Sequence, residues 1–225
     1  MPTILITGAN RGIGQALCNS YLADGWKVLA TSRSPDAQVP EGAEHYVLDV
    51  SNPHSIGQLA GQLKGRDIDA IWNNAGVYLD KDMRLAQVSQ QVWLDTFAIN
   101  TVAPIQIAHA LQANLQNSSR KVLAFTTSKM GSLAVNGKNA FAYRASKSAL
   151  NMAVRCLAHE LEAQKISCLL LHPGHVKTDM GGKEGAIDTA TSVKGMRAIV
   201  DGVSADQYPA FNSQYFDYDG TNIAW

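Results

Sequence analysis

Tyr143 and Lys147 stand four positions apart in the segment YRASK, residues 143–147. On a helix this spacing places both side chains on one side, one turn apart. An ammonium group close to a phenol favours the phenolate, so it lowers the phenol pKa from its usual value near 10. Such a pair could transfer a proton to or from a substrate oxygen. The same spacing is also typical of a solvated helix start, and the rest of the chain must decide between these two interpretations.

The segment TGANRGIG, residues 7–14, places three glycines between a short apolar run and a stretch with helical periodicity. Glycine permits a tight turn and a close backbone approach, so that amide groups and the positive end of a helix can face a pyrophosphate. The spacing of Gly8, Gly12 and Gly14 is GxxxGxG rather than the usual dinucleotide fingerprint GxGxxG. Tight turns also need glycine for steric reasons. The position between a first strand and a helix is therefore what favours a dinucleotide site.

Ser32 and Arg33 end the second predicted strand, where an acidic residue would bind a ribose 2′-hydroxyl group and an arginine would bind a 2′-phosphate. Arg11 adds a second guanidinium group within the glycine-rich turn, and the nearest carboxylate, Asp36, follows in the loop. Guanidinium groups bind phosphate in a bidentate manner. The pattern therefore favours NADP(H) over NAD(H). The alternative is that both arginines are solvated surface residues.

The composition is that of an ordinary soluble globular protein, with 225 residues of which 46% are hydrophobic and 17% charged. Nineteen basic and nineteen acidic side chains balance to zero, which argues against nucleic acid or a membrane as a partner. No apolar run reaches the ~20 residues of a membrane span, and no signal peptide is recognisable. The three cysteines are widely spaced and the histidines form no ligand pair. We therefore predict a cytoplasmic protein without a metal site.

Short apolar runs alternate with amphipathic segments along the chain. The predicted strands cover residues 3–7, 27–31, 45–50, 69–74, 121–127 and 166–173; a first helix lies between the first two strands, and further helices cover 54–63, 88–115 and 142–164. Near-continuous apolar strands between helices indicate a parallel sheet covered on both faces. We therefore predict an α/β fold, a single doubly wound Rossmann domain over residues 1–225 with a mostly parallel sheet and helices on both faces.

Several further motifs occur in the order known from one enzyme family. They are the segment NNAG (73–76), Asn100 within a predicted helix, Ser128 at a strand end, the Tyr143–Lys147 pair, and Pro173–Gly174. With these motifs and its glycine-rich turn, the chain resembles the short-chain dehydrogenase/reductases over essentially its whole length. The segments HPGHVKTDMGG (172–182) and YFDYDGTNIAW (215–225) look most like the C-factor and Sniffer-like carbonyl reductase branch.

The resemblance implies an oxidoreductase that uses a nicotinamide cofactor and transfers a hydride to or from a carbonyl or alcohol carbon. It assigns Tyr143 as acid and base, Ser128 as a hydrogen-bonding partner of the substrate oxygen, and Lys147 as a ligand of the nicotinamide ribose. Asn100 would hold the helix geometry and a water that links Lys147 to solvent. The interval from Ser128 to Tyr143 is longer than is common in the family, and we expect the intervening loop to absorb the extra residues.

The predicted cofactor site draws on residues at or just beyond the ends of five predicted strands and on the predicted helix over 142–164. The resemblance places Asp49 against the adenine, although an aspartate there is also typical of the turn in DVSNP (49–53). The full set of predicted cofactor-binding residues is Gly8, Asn10, Arg11, Gly12, Ile13, Gly14, Ser32, Arg33, Asp49, Val50, Asn74, Ala75, Gly76, Tyr143, Lys147, Pro173, Gly174, Val176 and Thr178.

Two functions remain open from the sequence. The first is NADP(H)-dependent chemistry on a small carbonyl or alcohol substrate, which the serine, tyrosine and lysine set favours. The second is an NADP(H)-binding signalling or sensor protein of the same fold with little turnover. A hydrolase is disfavoured because no GxSxG elbow is present. A homodimer is compatible with either function. A substrate with hydrophobic bulk is favoured by an apolar pocket rim predicted from Leu133, Val135, Phe141 and Met180.

Overall fold

A seven-stranded sheet forms the centre of the structure, a computed structural model that describes residues 1–225. All neighbouring strands run parallel, in the order β3-β2-β1-β4-β5-β6-β7. The strands are β1 (Thr3–Ile6), β2 (Lys27–Ser32), β3 (Glu44–Val47), β4 (Ala70–Asn73), β5 (Val122–Thr126), β6 (Ser167–His172) and β7 (Gln214–Asp217).

Six α-helices connect or flank these strands. They are α1 (Gly12–Ala23), α2 (Pro53–Gln62), α3 (Gln90–Phe97), α4 (Ala103–Leu111), α5 (Phe141–Glu160) and α6 (Thr189–Asp201). A π turn (Ala98–Val102) joins α3 to α4, so the predicted helix over 88–115 follows one path but contains a local change of winding. None of the helices combines the length and the apolar character needed to cross a bilayer.

The two faces of the sheet are covered by different helices. Successive strand residues point to opposite faces, so Leu5 packs with α2, α4 and α5, including Val154, on one side. Ile4 packs on the other side with α1 and α6, including Leu17 and Met196. Both clusters consist of buried apolar side chains. The predicted fold class, a doubly wound parallel sheet with helices on both faces, is confirmed.

The order of the strands reverses between β1 and β4, which are neighbours although they are distant in sequence. In such sheets a crevice opens outside the carboxyl ends of the strands at this point, and ligands bind there. The glycine-rich turn follows β1 and the NNAG segment completes β4. The fold therefore brings the two predicted cofactor-binding segments to the same crevice.

The sequence patterns predicted six strands correctly and missed the last strand and the last helix, β7 and α6. β7 has only four residues. α6 contains four threonine or valine residues and Gly195, which weaken its helical pattern. A Cβ atom at Gly195 would lie 2.1 Å from the carbonyl oxygen of Tyr218, just after β7. The glycine is therefore explained by a close packing contact between two elements that no local pattern reveals.

Candidate active site

The glycine-rich turn is built by backbone contacts that exclude side chains. A Cβ atom at Gly14 would lie 2.1 Å from the carbonyl oxygen of Gly8 and 2.7 Å from the side-chain nitrogen of Asn74. Gly8 and Gly12 have φ values of +66° and +56°, which favour glycine. Asn10 is exposed and Ile13 is half-buried at the start of α1. The turn therefore leaves bare backbone at a helix start, which fits the pyrophosphate of a dinucleotide.

Thr7 ties this turn to the end of β4. Its hydroxyl oxygen accepts hydrogen bonds from the backbone amides of Asn74 and Ala75, at 2.9 and 3.0 Å. The side-chain amide of Asn74 donates back to the Thr7 carbonyl oxygen at 3.1 Å. Val50 and Ala75 line one small cavity together with Asn73, whose buried side-chain amide has no hydrogen-bond partner. The predicted residues Val50, Asn74 and Ala75 thus lie around one crevice.

Helix α5 carries Tyr143 and Lys147, and both side chains are buried. The Lys147 Nζ atom lies 5.9 Å from the centre of the Tyr143 ring. It donates a hydrogen bond of 2.9 Å to the carbonyl oxygen of Thr126 at the end of β5. The pair is therefore part of the interior beside the crevice, and the solvated helix start is the wrong interpretation.

Ser128 follows β5 in a short turn that is docked onto α5. Its hydroxyl group accepts a hydrogen bond from the backbone amide of Met130 at 3.2 Å, and it lies close enough to the Tyr143 phenol to lower the pKa of that group. The phenol of Tyr215 on β7 donates to the Ser128 carbonyl oxygen. A Cβ atom at Gly131 would lie 2.8 Å from the backbone of Lys147, so the turn and the helix are in close contact.

The long interval between Ser128 and Tyr143 folds back over the start of α5. The Arg144 guanidinium group donates to the carbonyl oxygens of Met130 and Val135, at 3.4 and 3.2 Å. The extra residues are thus accommodated in the loop between β5 and α5. The meeting of the two hydroxyl groups at one substrate oxygen stays a prediction.

Asn100 lies fully buried in the π turn between α3 and α4. Its side-chain oxygen accepts from the backbone amide of Val77, and its side-chain nitrogen donates to the Val77 carbonyl oxygen, both at 2.9 Å. The nitrogen also donates to the Ser146 hydroxyl group at 3.1 Å. Asn100 therefore links the segment after β4 to helix α5. A π turn within a helix is frequent at functional sites.

The two ionisable groups on α5 have shifted pKa values because they are buried. Burial raises the pKa of Tyr143 to about 12; the hydrogen bond with Ser128 acts in the opposite direction and the nearby Tyr78 adds to the increase. Burial lowers the pKa of Lys147 to about 8. The sequence analysis predicted a lowered phenol pKa, and for the protein alone this is wrong. Loss of hydration penalises the phenolate more than its neighbours stabilise it.

The predicted residues at the ribose edge differ in their surroundings. Ser32 is buried and its hydroxyl group lies 2.7 Å from His45 Nε2, whereas Arg33 is exposed. Asp49 accepts two hydrogen bonds from Ser51 through one carboxylate oxygen, so it forms the turn that was its alternative role. The other oxygen remains available, and the adenine contact stays a prediction.

Arg11 does not lie free beside Arg33. Its guanidinium group forms a salt bridge of 2.9 Å with Asp179, in the loop after β6, and both side chains are exposed. The structure thus places Arg11 across the mouth of the crevice, and its predicted contact with a 2′-phosphate stays a prediction.

The loop after β6 closes the other side of the crevice. Gly174 has φ of +81°, and a Cβ atom there would meet Ile187 at 2.8 Å. The Pro173 carbonyl oxygen accepts a hydrogen bond from Ser192 at the start of α6. The Thr178 methyl group would lie 3.6 Å from a Cβ atom at Gly12, so this loop adjoins the glycine-rich turn. No group of three or more histidine, cysteine or acidic side chains is arranged to hold a metal ion.

Sequence reasoning missed three residues that contact the predicted site around Tyr143 and Ser128. Tyr215 binds the Ser128 carbonyl group, Tyr78 stacks on the Tyr143 ring, and Asp80 binds backbone amides at the start of α5. All three act across long sequence separations. The only local signal was that Tyr78 and Asp80 lie two and four positions after the NNAG segment.

The sequence model of a family described as short chain dehydrogenase matches residues 2–188. The C-signal protein of Myxococcus xanthus is 39% identical over 159 residues, which cover 70% of this chain and 93% of that protein.

Solved structures similar to this fold include two carbonyl reductases. The carbonyl reductase Sniffer of D. melanogaster has a TM-score of 0.89 and 32% identity, with complete coverage of both chains. A carbonyl reductase from Pseudomonas aeruginosa PAO1, solved in complex with NADP, has a TM-score of 0.85 and 31% identity, again with complete coverage of both chains.

The contact at Gly14 predicts a destabilised Gly14→Ala variant. The added methyl group overlaps the Gly8 carbonyl oxygen, and overpacking of this kind costs about 1–3 kcal/mol of unfolding free energy. Gly57→Ala is the matched control, because Gly57 also lies in a helix but has no atom within 4 Å of the added Cβ. That variant should be as stable as the wild type or more stable by up to ~1 kcal/mol. Urea denaturation measures both values, and equal effects would contradict the contact.

The lowered pKa of Lys147 predicts that stability rises with pH above about 8. Between about 8 and the usual lysine pKa near 10.4, the unfolded chain holds a proton that the folded protein has released. The free energy of unfolding therefore increases as pH rises, by up to roughly 3 kcal/mol for this group. Urea denaturation at pH 7.5, 8.5 and 9.5 should show this rise in the wild type and its loss in Lys147→Met. If the stability of the two proteins depends on pH in the same way, the pKa of Lys147 is not lowered.

Proposed function

This chain belongs to the short chain dehydrogenase family, as its motifs predicted, and we propose that it is an NADPH-dependent carbonyl reductase with a Ser128, Tyr143 and Lys147 site. The observation that carries this proposal is the convergence of the three side chains beside the glycine-rich turn. Tyr143 and Lys147 are buried on α5, and Ser128 is a neighbour of the Tyr143 phenol. A proton donor, a hydrogen-bonding hydroxyl and a cation thus meet where the fold accepts a dinucleotide.

The residues around the crevice fit NADP(H). The bare backbone from Gly8 to Gly14 suits a pyrophosphate, and the exposed Arg33 beside Ser32 suits a ribose 2′-phosphate. Lys147 and the NNAG backbone would hold the nicotinamide end, with Val176 and Thr178 on the far side. The similar P. aeruginosa reductase, solved with NADP, supports the same choice.

The bound nicotinamide would supply or accept the hydride. In the reducing direction Tyr143 donates its phenolic proton to the carbonyl oxygen as negative charge develops there. A phenol with a pKa of about 12 is fully protonated at neutral pH and therefore ready to donate. Ser128 holds the same oxygen by a hydrogen bond that strengthens as charge develops.

Lys147 stabilises Tyr143 after the phenol has given its proton to the substrate. With a pKa of about 8 its side chain is mostly charged at neutral pH, although it is buried. The ammonium group stabilises the phenolate that remains after proton transfer. Because its Nζ atom already binds the Thr126 carbonyl oxygen, its position is fixed before a substrate arrives.

The loops at the carboxyl edge of the sheet favour a substrate with apolar bulk. Leu79, Leu133 and Met180 are exposed on the loops that follow β4, β5 and β6. Apolar side chains at the mouth of a crevice suit the hydrophobic part of a ketone or aldehyde.

We further infer a cytoplasmic location, which the three free cysteines support. A homodimer through the exposed Leu94, Val102 and Met152 surface is part of the same proposal.

A second candidate function is an NADP(H)-binding signalling protein with little turnover. The specific observation in its favour is the similarity to a protein named C-signal. The two functions separate in one experiment, which combines direct measurement of NADPH binding with NADPH oxidation over a broad carbonyl panel. Turnover above background supports the reductase, whereas tight binding without turnover supports the signalling protein.

Tyr143→Phe should lose reductase activity by ~10²–10⁴-fold while its cofactor affinity and its fold are retained, because the change removes only the acid and base. Steady-state kinetics and cofactor titration measure the two effects separately. Tyr46→Phe is the control and should retain activity, because Tyr46 is half-buried on the edge strand β3 and its phenol contacts Glu44 and Arg66. Near-wild-type turnover in Tyr143→Phe would remove this residue from the mechanism.

Arg33 should set the cofactor preference. A charge-assisted hydrogen bond contributes ~1.5–3 kcal/mol, and solvent exposure favours the lower end, so we expect NADPH to be preferred over NADH by at least ~10-fold. Arg33→Asp should erase or invert this preference, because a carboxylate repels a 2′-phosphate and accepts from a 2′-hydroxyl group. Comparing kcat/KM for both cofactors measures it.

Lys64→Asp is the matched control for Arg33→Asp, since it makes the same charge change just beyond α2, away from the crevice. It should leave the ratio of the two kcat/KM values unchanged. If the wild type prefers NADH, or if Arg33→Asp retains the wild-type ratio of kcat/KM values, then Arg33 is an ordinary surface residue.

A further inference from the structure

The first turn of α5 carries Tyr143 but has no capping side chain of its own. The residue before the helix, Ala140, adopts a left-handed conformation with φ of 61°, and its methyl group cannot accept a hydrogen bond. The first amide groups of a helix have no acceptor within the helix. In this buried region an amide without an acceptor is destabilising. An acceptor must therefore come from elsewhere in the chain.

Asp80 supplies that acceptor from the segment after β4. Its fully buried carboxylate accepts hydrogen bonds from the backbone amides of Ala142 at 2.8 Å and Tyr143 at 3.3 Å. These are the second and third residues of the helix, the positions that an ordinary N-cap side chain binds. Negative charge at this end also interacts favourably with the helix dipole. Asp80 thus caps α5 across 62 positions of sequence.

Tyr78, two residues before Asp80, contacts the catalytic side chain itself. Its ring stacks on the ring of Tyr143, with centroids 4.4 Å apart and an angle of 24° between the planes. Tyr78 is half-buried and therefore forms a cover over one face of the Tyr143 ring. Stacking at this distance restricts the rotation of the Tyr143 ring and keeps water from that face.

The other end of the segment is held by Asn100. Its side-chain amide binds both the amide and the carbonyl group of Val77, each at 2.9 Å. Residues 77–80 are therefore fixed at both ends, at Val77 by Asn100 and at Asp80 by the start of α5. Tyr78 lies between these anchors, directly against Tyr143.

We propose that Tyr78 and Asp80 are positioning residues for Tyr143, with Asp80 holding the backbone that carries it and Tyr78 holding its ring. Neither residue needs to touch the substrate. This inference rests on the proposed function of Tyr143 as proton donor. A misplacement of about 1 Å in a reacting group can cost ~10²-fold in rate, so a clamp on both the backbone and the ring has a direct effect on turnover.

Kinetics of four variants test the clamp. Asp80→Ala removes the cap and Tyr78→Ala removes the stacked ring; both should lower kcat by ~10–100-fold with little change in KM for the cofactor. Asp80→Asn keeps an acceptor oxygen and Tyr78→Phe keeps the ring, so both should recover most of the lost kcat. Asp82→Asn is the control, because Asp82 is exposed in the same loop and should behave like the wild type.

A purely structural role for Asp80 predicts a different result. Loss of a helix cap lowers stability and therefore Tm, and the remaining folded protein would then turn over at the wild-type rate. Measuring kcat well below the Tm of each variant separates the two roles. A wild-type kcat per folded molecule in both alanine variants would overturn the proposal, whatever happens to Tm.

A second readout needs no substrate. Tyrosine labelled with carbon-13 at Cζ reports phenol ionisation by NMR, and comparison with Tyr143→Phe assigns the Tyr143 signal. Burial and Tyr78 both raise the pKa of Tyr143, so Tyr78→Ala should make this phenol titrate at lower pH. Ser128, Lys147 and Tyr215, the other polar or titratable groups close to the phenol, are unchanged in that variant.

The two readouts distinguish failure of the clamp from failure of the proposed function. An unchanged Tyr143 titration in both Tyr78→Ala and Asp80→Ala would overturn the clamp even if the wild type is an active reductase. If the Tyr143 titration shifts in these variants but the wild type shows no turnover, the clamp is supported and the proposed reductase function is contradicted.

Discussion

The buried ammonium group of Lys147 is the constraint around which the crevice is organised. A cation away from water is costly unless it is bound, and here the Thr126 carbonyl oxygen at the end of β5 binds it at 2.9 Å. That bond requires α5 to cross close to the end of β5. The close approach explains Gly131, because a Cβ atom there would meet the Lys147 backbone at 2.8 Å. The position of the phenol follows from the position of the amine, one helical turn away.

The parallel sheet explains why the site can be assembled from distant segments. All seven strands end at the same edge, so the turns after β1, β4, β5 and β6 are neighbours there. Each turn contributes a different chemical group: bare amides after β1, the NNAG backbone after β4, a hydroxyl group after β5 and a closing loop after β6. The helices hold these turns at fixed distances, and Asn100 in the π turn joins two of them.

The sequence was sufficient for features that depend on local pattern. Apolar runs located six strands, the glycine spacing located the turn, and the YxxxK spacing located the pair on α5. Features that depend on contacts between distant residues could not be predicted from the sequence. Asp80 caps a helix 62 positions away and Tyr215 reaches 87 positions back to Ser128. The phenol pKa was predicted in the wrong direction because neighbouring charge can be inferred from spacing, whereas depth of burial depends on the whole fold.

The salt bridge between Arg11 and Asp179 reduces what Arg11 can contribute to anion binding at the mouth of the crevice. An anion that binds to Arg11 must first displace a carboxylate that already occupies it, so the protein contains its own competing ligand. The net gain in affinity is then the difference between two ion pairs, and it is smaller than the new ion pair alone would give. Arg33 takes part in no salt bridge and needs no such exchange. Two arginines of equal charge can therefore contribute unequally, because only one of them is already neutralised.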